Sequence, residues 1–214
     1  MRLSEVQTYS SESRVWSKRA TEWGAHGRIN SRLGSAFVDG MLHFMVNNNS
    51  AFDFAFGKDD QIVAVDFAFG KDDPIVAVDR EGKRCRNIRW AEERGYTSFV
   101  GQSQGRLHCI SGLINSTVEV SELSVWALEE YDREEWVLKH SVSFAHLSGN
   151  LSGEGVFNFY TVAIHPDCNM LFFVQRESRK LIVVSYNMDS KELCVLCSIG
   201  WDDKYVTQYV PYFS

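Results

Sequence analysis

Phe99-Val100-Gly101-Gln102-Ser103-Gln104-Gly105-Arg106-Leu107-His108-Cys109-Ile110 is an apolar run, a tight turn, and a second apolar run opening on a bulky side chain followed by Leu. The same phrase stands earlier as Ala36-Phe37-Val38-Asp39-Gly40-Met41-Leu42-His43-Phe44 and later as Val162-Ala163-Ile164-His165-Pro166-Asp167-Cys168-Asn169-Met170-Leu171-Phe172-Phe173. Each reads as a β-hairpin, because Gly or Asn at the turn tolerates the positive φ that a twist-matched connection demands. A repeat architecture follows.

After each hairpin comes a third apolar strand, a polar turn carrying Asp or Glu, and a fourth strand: Ile75 to Asp79 then Cys85 to Trp90, Leu123 to Tyr131 then Trp136 to Phe144, Leu181 to Tyr186 then Leu193 to Ile199. Four sequential antiparallel strands with no helix between units is the plan of a propeller blade. The turn residues Gly40, Gly105 and Asn169 lie about 65 residues apart, somewhat above the period of about 50 of kelch-like blades. An orphan half-unit, Val6 to Tyr9 and Arg14 to Ser17, precedes them, and Tyr205 to Tyr212 reads as one last strand. The prediction is an all-β chain of about 15 strands, a partial, open β-propeller of about three and a half four-stranded antiparallel blades. That count falls short of the usual minimum of about four, so unpaired edge strands and self-association through them are expected.

Composition agrees. Aromatics make up 13% of the 214 residues, and Val, Phe, Tyr and Trp dominate the apolar runs, which suits partly buried strands better than helices. Only a turn around Ala91-Glu92-Glu93-Arg94 reads as helical. No Pro/Gly/Ser-rich linker divides the chain, which predicts a single domain over residues 1–214. No h-region opens it and no window reaches the length of a membrane span. Five scattered cysteines suit reduced, buried thiols of a cytoplasmic or nuclear protein, and in that setting the sequons at Asn48, Asn115 and Asn150 are chance. Net charge is −6; residues 1–35 lean basic, while Glu119 to Glu135 hold seven acids against Arg133. No basic stripe interleaves with aromatics, so neither nucleic acid nor membrane is an expected partner. The acidic run reads as a solvated turn.

Motifs that resemble chemistry weaken in context. Gly101-Gln102-Ser103-Gln104-Gly105 matches a G-x-S-x-G nucleophile elbow, but an elbow leads from strand to helix, and Arg106 to Ile110 alternates like a strand. The segment reads as a turn with two glycines. Cys194-Val195-Leu196-Cys197 offers half of a zinc or redox pair, yet residues three apart on a strand point to opposite faces, and no second pair completes a tetrahedral site. His43 and His108 occupy equivalent second-strand positions and read as packed lattice residues; His165, before Pro166, reads as a turn cap. Gly149, Gly153 and Gly155 lack the flanking strand and helix of a phosphate loop. Trp16, Trp126 and Trp136 recur at strand positions and are expected to pack blades. No catalytic, metal or cofactor-binding residue is assigned, no cofactor is expected, and no partner-binding residue stands out.

One feature breaks the repeat. Phe54-Ala55-Phe56-Gly57-Lys58-Asp59-Asp60-Gln61-Ile62-Val63-Ala64-Val65-Asp66 is followed at once by the same 13 residues, Phe67 to Asp79, with Pro74 in place of Gln61. So faithful a copy suggests a tandem duplication. Both copies compete for one third strand. Pro is tolerated at a strand's first position, and the second copy keeps the short link to the fourth strand, so Ile75 to Val78 is assigned to the blade.

Ser98 to His108, Leu123-Ser124-Val125-Trp126-Ala127-Leu128-Glu129-Glu130-Tyr131-Asp132 with Trp136 to His140, His165 to Asn169, Tyr186 to Asp189 and the closing Tyr209-Val210-Pro211-Tyr212 resemble the F-box-associated β-propeller region of plant F-box proteins, especially a grass-expanded group. In that family an F-box helix bundle docks on a Skp1-type adaptor of a cullin-RING ubiquitin ligase, and the propeller selects the protein to be modified. The resemblance implies a protein-interaction module, the substrate-recognition part of an SCF-type E3 subunit, with no enzyme activity of its own. Nothing resembling the Leu/Pro-rich F-box precedes Val6, so the resemblance implies an N-terminally truncated recognition domain and an adaptor only where an upstream F-box is present. The alternatives are a non-ligase decoy or inactive fragment, and a serine hydrolase using Ser103.

Overall fold

Asp39-Gly40 and Gln104-Gly105 turn two of the three hairpins with both residues at positive φ, 52 and 77° in one and 49 and 73° in the other. That is the two-residue connection whose twist matches the strands it joins. A computed structural model describes residues 5–20, 28–29, 33–47, 75–81, 83–114, 120–148, 159–177, 180–200 and 206. Among them fifteen strands form four antiparallel sheets.

A two-stranded sheet pairs β1 (Glu5–Ser10) with β2 (Val15–Ala20). The first blade contains β3 (Arg28–Ile29), β4 (Ala36–Val38), β5 (Met41–Asn47), β6 (Ile75–Val78) and β7 (Arg84–Ile88), with β3 and β4 meeting opposite ends of β5. The second runs β8 (Tyr96–Ser103), β9 (Arg106–Ile114), β10 (Val120–Glu130), β11 (Glu135–Ser143), and the third β12 (Phe159–Ile164), β13 (Met170–Glu177), β14 (Lys180–Asn187), β15 (Glu192–Gly200). Strand order in each complete blade is the chain order. This is the open, partial propeller that the repeats predict.

The blades stack face to face, which explains why the inner strands show little alternation. In β9, Leu107 and Cys109 join Ile75, Ile88 and Trp136 in the seam between first and second blades. The next residue along, Ile110, joins Phe99, Val125, Leu171, Phe173 and Tyr186 in the seam between second and third. Both faces of such a strand are buried, so apolar residues such as Cys109 and Ile110 follow one another directly. β6 behaves alike: Ile75 enters one core, while Val76 and Val78 meet Phe44 and Val46 in another.

Turn geometry identifies the orphan hairpin. The turns 11–14, 131–134 and 188–191 are four residues long, and each ends on a left-handed residue, Arg14 (φ 56°), Glu134 (56°) and Lys191 (60°). The latter two join third to fourth strands, so β1–β2 is the outer half of a blade. Trp16, Trp136 and Leu193 then hold one lattice position, paired with Tyr9, Leu128 and Tyr186. Trp136 is 6% exposed but Trp16 is 64%, because among the described residues the half-blade has no inner strands to extend the covering face. The expectation that Trp16 packs between blades is corrected. Trp126 and Trp136 do pack, each edge-on to Trp90.

Three further expectations change. The third hairpin does not rely on positive φ at Asn169; its side chain holds the turn instead, Nδ2 donating to Asp189 Oδ1 at 2.9 Å and Oδ1 accepting from Gln104 Nε2 at 2.7 Å. Gly101 lies inside β8, not in the turn, which is confined to Gln104-Gly105. The fourth strand of the second blade stops at Ser143, whose hydroxyl accepts the His146 N–H at 3.3 Å and caps a short helix, α1 (Phe144–Ser148). Phe144 and Leu147 sink into the seam, and in sequence that apolar spacing runs on from the strand without a break. The helical turn expected near Ala91 is a 3-10 turn, Glu92–Arg94.

The second copy of the duplicated segment supplies β6, as assigned; Phe54 to Asp66, Pro74, Gly149, Gly153, Gly155 and the last strand at Tyr205 to Tyr212 lie outside the described residues, Val206 apart. Because β6 is already filled, deleting Phe54 to Asp66 is expected to leave the melting temperature unchanged within about 3 °C, since shortening a connection alters closure entropy by well under about 1 kcal/mol. A large fall on differential scanning would show that the first copy is built into the core.

Candidate functional site

Between the second and third blades the seam opens into a cleft of about 260 Å³. Its floor is Val125, Ala127, Ile164 and Met188; Ser103, Gln104, Arg106, His108, Lys139, His140, Asn169 and Asp189 line the rest. Arg106 and His108 are two apart on β9 and so share a face. Lys139 and His140 are consecutive, and would normally point apart. They meet here because β11 bulges: Leu138 pairs with Trp126 and His140 with Val125, leaving Lys139 unpaired. A second bulge leaves Glu129 unpaired between Leu128 and Glu130. The two re-aimed side chains join with Arg106, and Glu129 accepts from both Lys139 Nζ and Arg106 Nη1. Those contacts, the Lys139 hydrogen bond first, hold the Glu129 carboxyl below its usual range.

Two hairpin turns form the rim. Ser103 Oγ donates to the His165 carbonyl at 2.7 Å, the Gln104 N–H to the Pro166 carbonyl at 2.5 Å, and the Met188 N–H to the Asn169 carbonyl at 2.8 Å. The rim is therefore held by hydrogen bonds between turns, two of the three from backbone to backbone.

Ser103 is not placed as an elbow nucleophile. It ends a strand, a two-residue turn and another strand follow, and its buried hydroxyl is committed to a carbonyl. His165 caps its turn, Nδ1 accepting the Asp167 N–H at 3.1 Å. Cys194 and Cys197 do not face opposite sides: a bulge at Leu196 sets them opposite Ser185 and Val183, which are two apart and share a face. Among the described residues no group of three ligating side chains gathers there or elsewhere. Of the described thiols only Cys109 is buried, and burial pushes it up to about 12; Cys168, Cys194 and Cys197 are exposed, which corrects the expectation of buried cysteines. β11 and β15 are outer strands, and every side chain of β15 is exposed or half-exposed.

His43 and His108 occupy one lattice position, opposite Ala36 and Ala77 in the first blade and opposite Gly101 and Ala127 in the second. Small neighbours on both sides make room for each ring. Yet the seams differ. His43 Nε2 lies 2.9 Å from the Tyr131 hydroxyl, contributed by the next blade. The residue equivalent to Tyr131 in the third blade is Met188, which has no hydroxyl. His108 Nδ1 donates to the Arg106 carbonyl at 3.2 Å, so Nε2 is left as an acceptor on the cleft side that no donor among the described residues reaches. His140 Nε2 lies 3.0 Å from the Tyr186 hydroxyl.

Burial lowers the pKa of His43, His108 and His140 alike. For His140 the burial effect is joined by the nearby Lys191 charge. The unfolded chain, with imidazoles near their ordinary value, then binds more protons than the folded one. Stability is complete above the unfolded value of about 6.5 and falls as pH drops through it. The melting temperature is expected to be several degrees lower at about pH 5.5 than at about pH 7.5, with a smaller difference in His108→Gln. A flat profile over that range would show that these imidazoles titrate normally in the fold.

The stacked four-stranded sheets define a β-propeller region, and the profile described as "F-box protein At3g26010-like, beta-propeller" matches residues 1–210. The chain belongs to that family of F-box protein β-propellers. No curated protein matches it. A solved structure of a protein from Lactobacillus plantarum is similar at 10% identity and a TM-score of 0.45, over 91% of this chain and 50% of that one; the chain thus spans about half the length of that structure. Among the described residues no helix is long and apolar enough to cross a membrane.

Proposed function

We propose that the chain is the substrate-recognition part of an F-box-type ubiquitin ligase subunit, a single protein-interaction domain of the cytoplasm or nucleus that works without a cofactor. Membership of the F-box propeller family over residues 1–210 carries this reading. The cleft supports it, since it places charged and polar groups over an apolar floor on a rigid frame, which is what selective binding requires. Docking on a Skp1-type adaptor would fall to an F-box helix bundle and not to the blades.

The test joins an F-box helix bundle to this chain and reconstitutes it with a Skp1-type adaptor, a cullin and a RING subunit. Ubiquitin transfer is then measured on proteins the chain captures from extract. Transfer that depends on the propeller is the expected result. Capture without propeller-dependent transfer would sink the ligase reading and leave an interaction module alone.

A further inference from the structure

We infer that the cleft between the second and third blades takes an acidic peptide segment of a protein partner, its carboxylate between Arg106 and Lys139 and a backbone N–H on His108 Nε2. The inference rests on the interaction reading above and names the partner's chemistry. Three observations carry it.

The first is a surplus of charged donors. Arg106 and Lys139 share the single carboxylate of Glu129 and keep side-chain exposures of 52% and 40%. An arginine fork presents five donors and a lysine three, more than one carboxylate can absorb. Asp189, on the opposite wall, keeps its negative charge although its Oδ1 accepts from the neutral Asn169 amide, and the Lys191 charge stands against it at His140. The chain's charge of −6 opposes an acidic ligand at long range, but charges beyond about 8 Å are largely screened at physiological salt. The local cluster decides.

The second is an acceptor that no donor among the described residues reaches. His108 is 7% exposed, its Nδ1 is used by the Arg106 carbonyl, and its Nε2 lacks the tyrosine that its counterpart His43 has. Met188 in place of that tyrosine leaves both the space and an acceptor open to the cleft. A peptide N–H supplies the missing donor.

The third is the floor. Met188 and Ile164 keep a small exposed surface in the lining, with Val125 and Ala127 buried behind them, and that surface receives the methylenes of a Glu or Asp side chain below the charged tip.

The probe is an array of random nonapeptides, with the full chain as analyte. Sequences rich in Asp or Glu are expected to be enriched, and their affinity should fall about tenfold in R106Q and in K139Q. Met188→Tyr is the decisive variant: it restores the hydroxyl that closes the other seam, so binding should be lost about tenfold or more while the melting temperature is kept. Enrichment of neutral or basic sequences that Met188→Tyr blocks would overturn the acidic preference and leave the interaction reading intact. Acidic peptides insensitive to all three variants would overturn the site, and an array with no enriched sequence would overturn the inference altogether. Ubiquitin transfer in the reconstituted assembly is scored separately, so failure here is distinguishable from failure of the ligase reading.

Discussion

Gly95→Ala is expected to destabilise the fold by about 3–5 kcal/mol, which lowers the melting temperature by roughly 10 °C in a chain of this size. Gly95 has φ +84°, where a side chain costs about 1–2 kcal/mol. A Cβ there would also stand 2.6 Å from the Gly112 carbonyl oxygen and 3.0 Å from its carbon. Both are backbone atoms of β9, and neither can turn aside. The site is tied on every side: Trp90 Nε1 donates to the Gly95 carbonyl at 2.7 Å, Ser111 Oγ to the Arg94 carbonyl at 2.5 Å, and Trp126 Nε1 to Ser111 Oγ at 3.1 Å. The Arg94 guanidinium lies over both indoles. Gly105→Ala is the control, because its φ is +73° and nothing lies within 4 Å of the added Cβ. It should lose only the conformational part, about 1–2 kcal/mol. Equal losses in the two variants, measured by urea denaturation, would show that the backbone clash is relieved and contributes nothing.

The hairpins are legible in the sequence because their information is local. Asp39-Gly40 and Gln104-Gly105 need left-handed backbone, and only a few residue types accept it. The apolar runs around them fix strand identity, and so the order within each blade follows. The Phe144 helix is hidden because Phe144 and Leu147 bury the same seam that a continued strand would bury. Trp16 misleads for a different reason: its lattice position is right, but burial depends on which neighbour covers it, and a repeat pattern does not carry that. The two cysteines of β15 show the limit of simple alternation, since one bulge residue reverses the face of everything beyond it. The cleft is the least legible feature. It needs two bulges, at Lys139 and Glu129, and a third blade placed against the second. One signal for it does lie in the sequence: aligning the four-residue turns shows Met188 where Tyr131 stands, and so flags which seam lacks its hydroxyl.

Phe173→Ala is expected to cost about 3–5 kcal/mol, the usual loss when a buried aromatic is cut back in a core that relaxes only in part. Phe173 is 2% exposed and lies among Ile110, Val125, Leu171 and Tyr186, residues of both blades that the seam joins. The void would therefore remove contacts within the third blade and between blades together. Whole-domain stabilities run to about 5–15 kcal/mol, so the variant should be marginal near body temperature, with a lowered urea midpoint and an unchanged slope. Trp16→Ala removes a larger side chain, yet should change stability by no more than about 0.5 kcal/mol, as surface substitutions do, because Trp16 is already 64% exposed. Residue size predicts the opposite order. A loss in Trp16→Ala as large as that in Phe173→Ala would mean that the β1–β2 hairpin is covered in solution, by a second copy or by the chain itself.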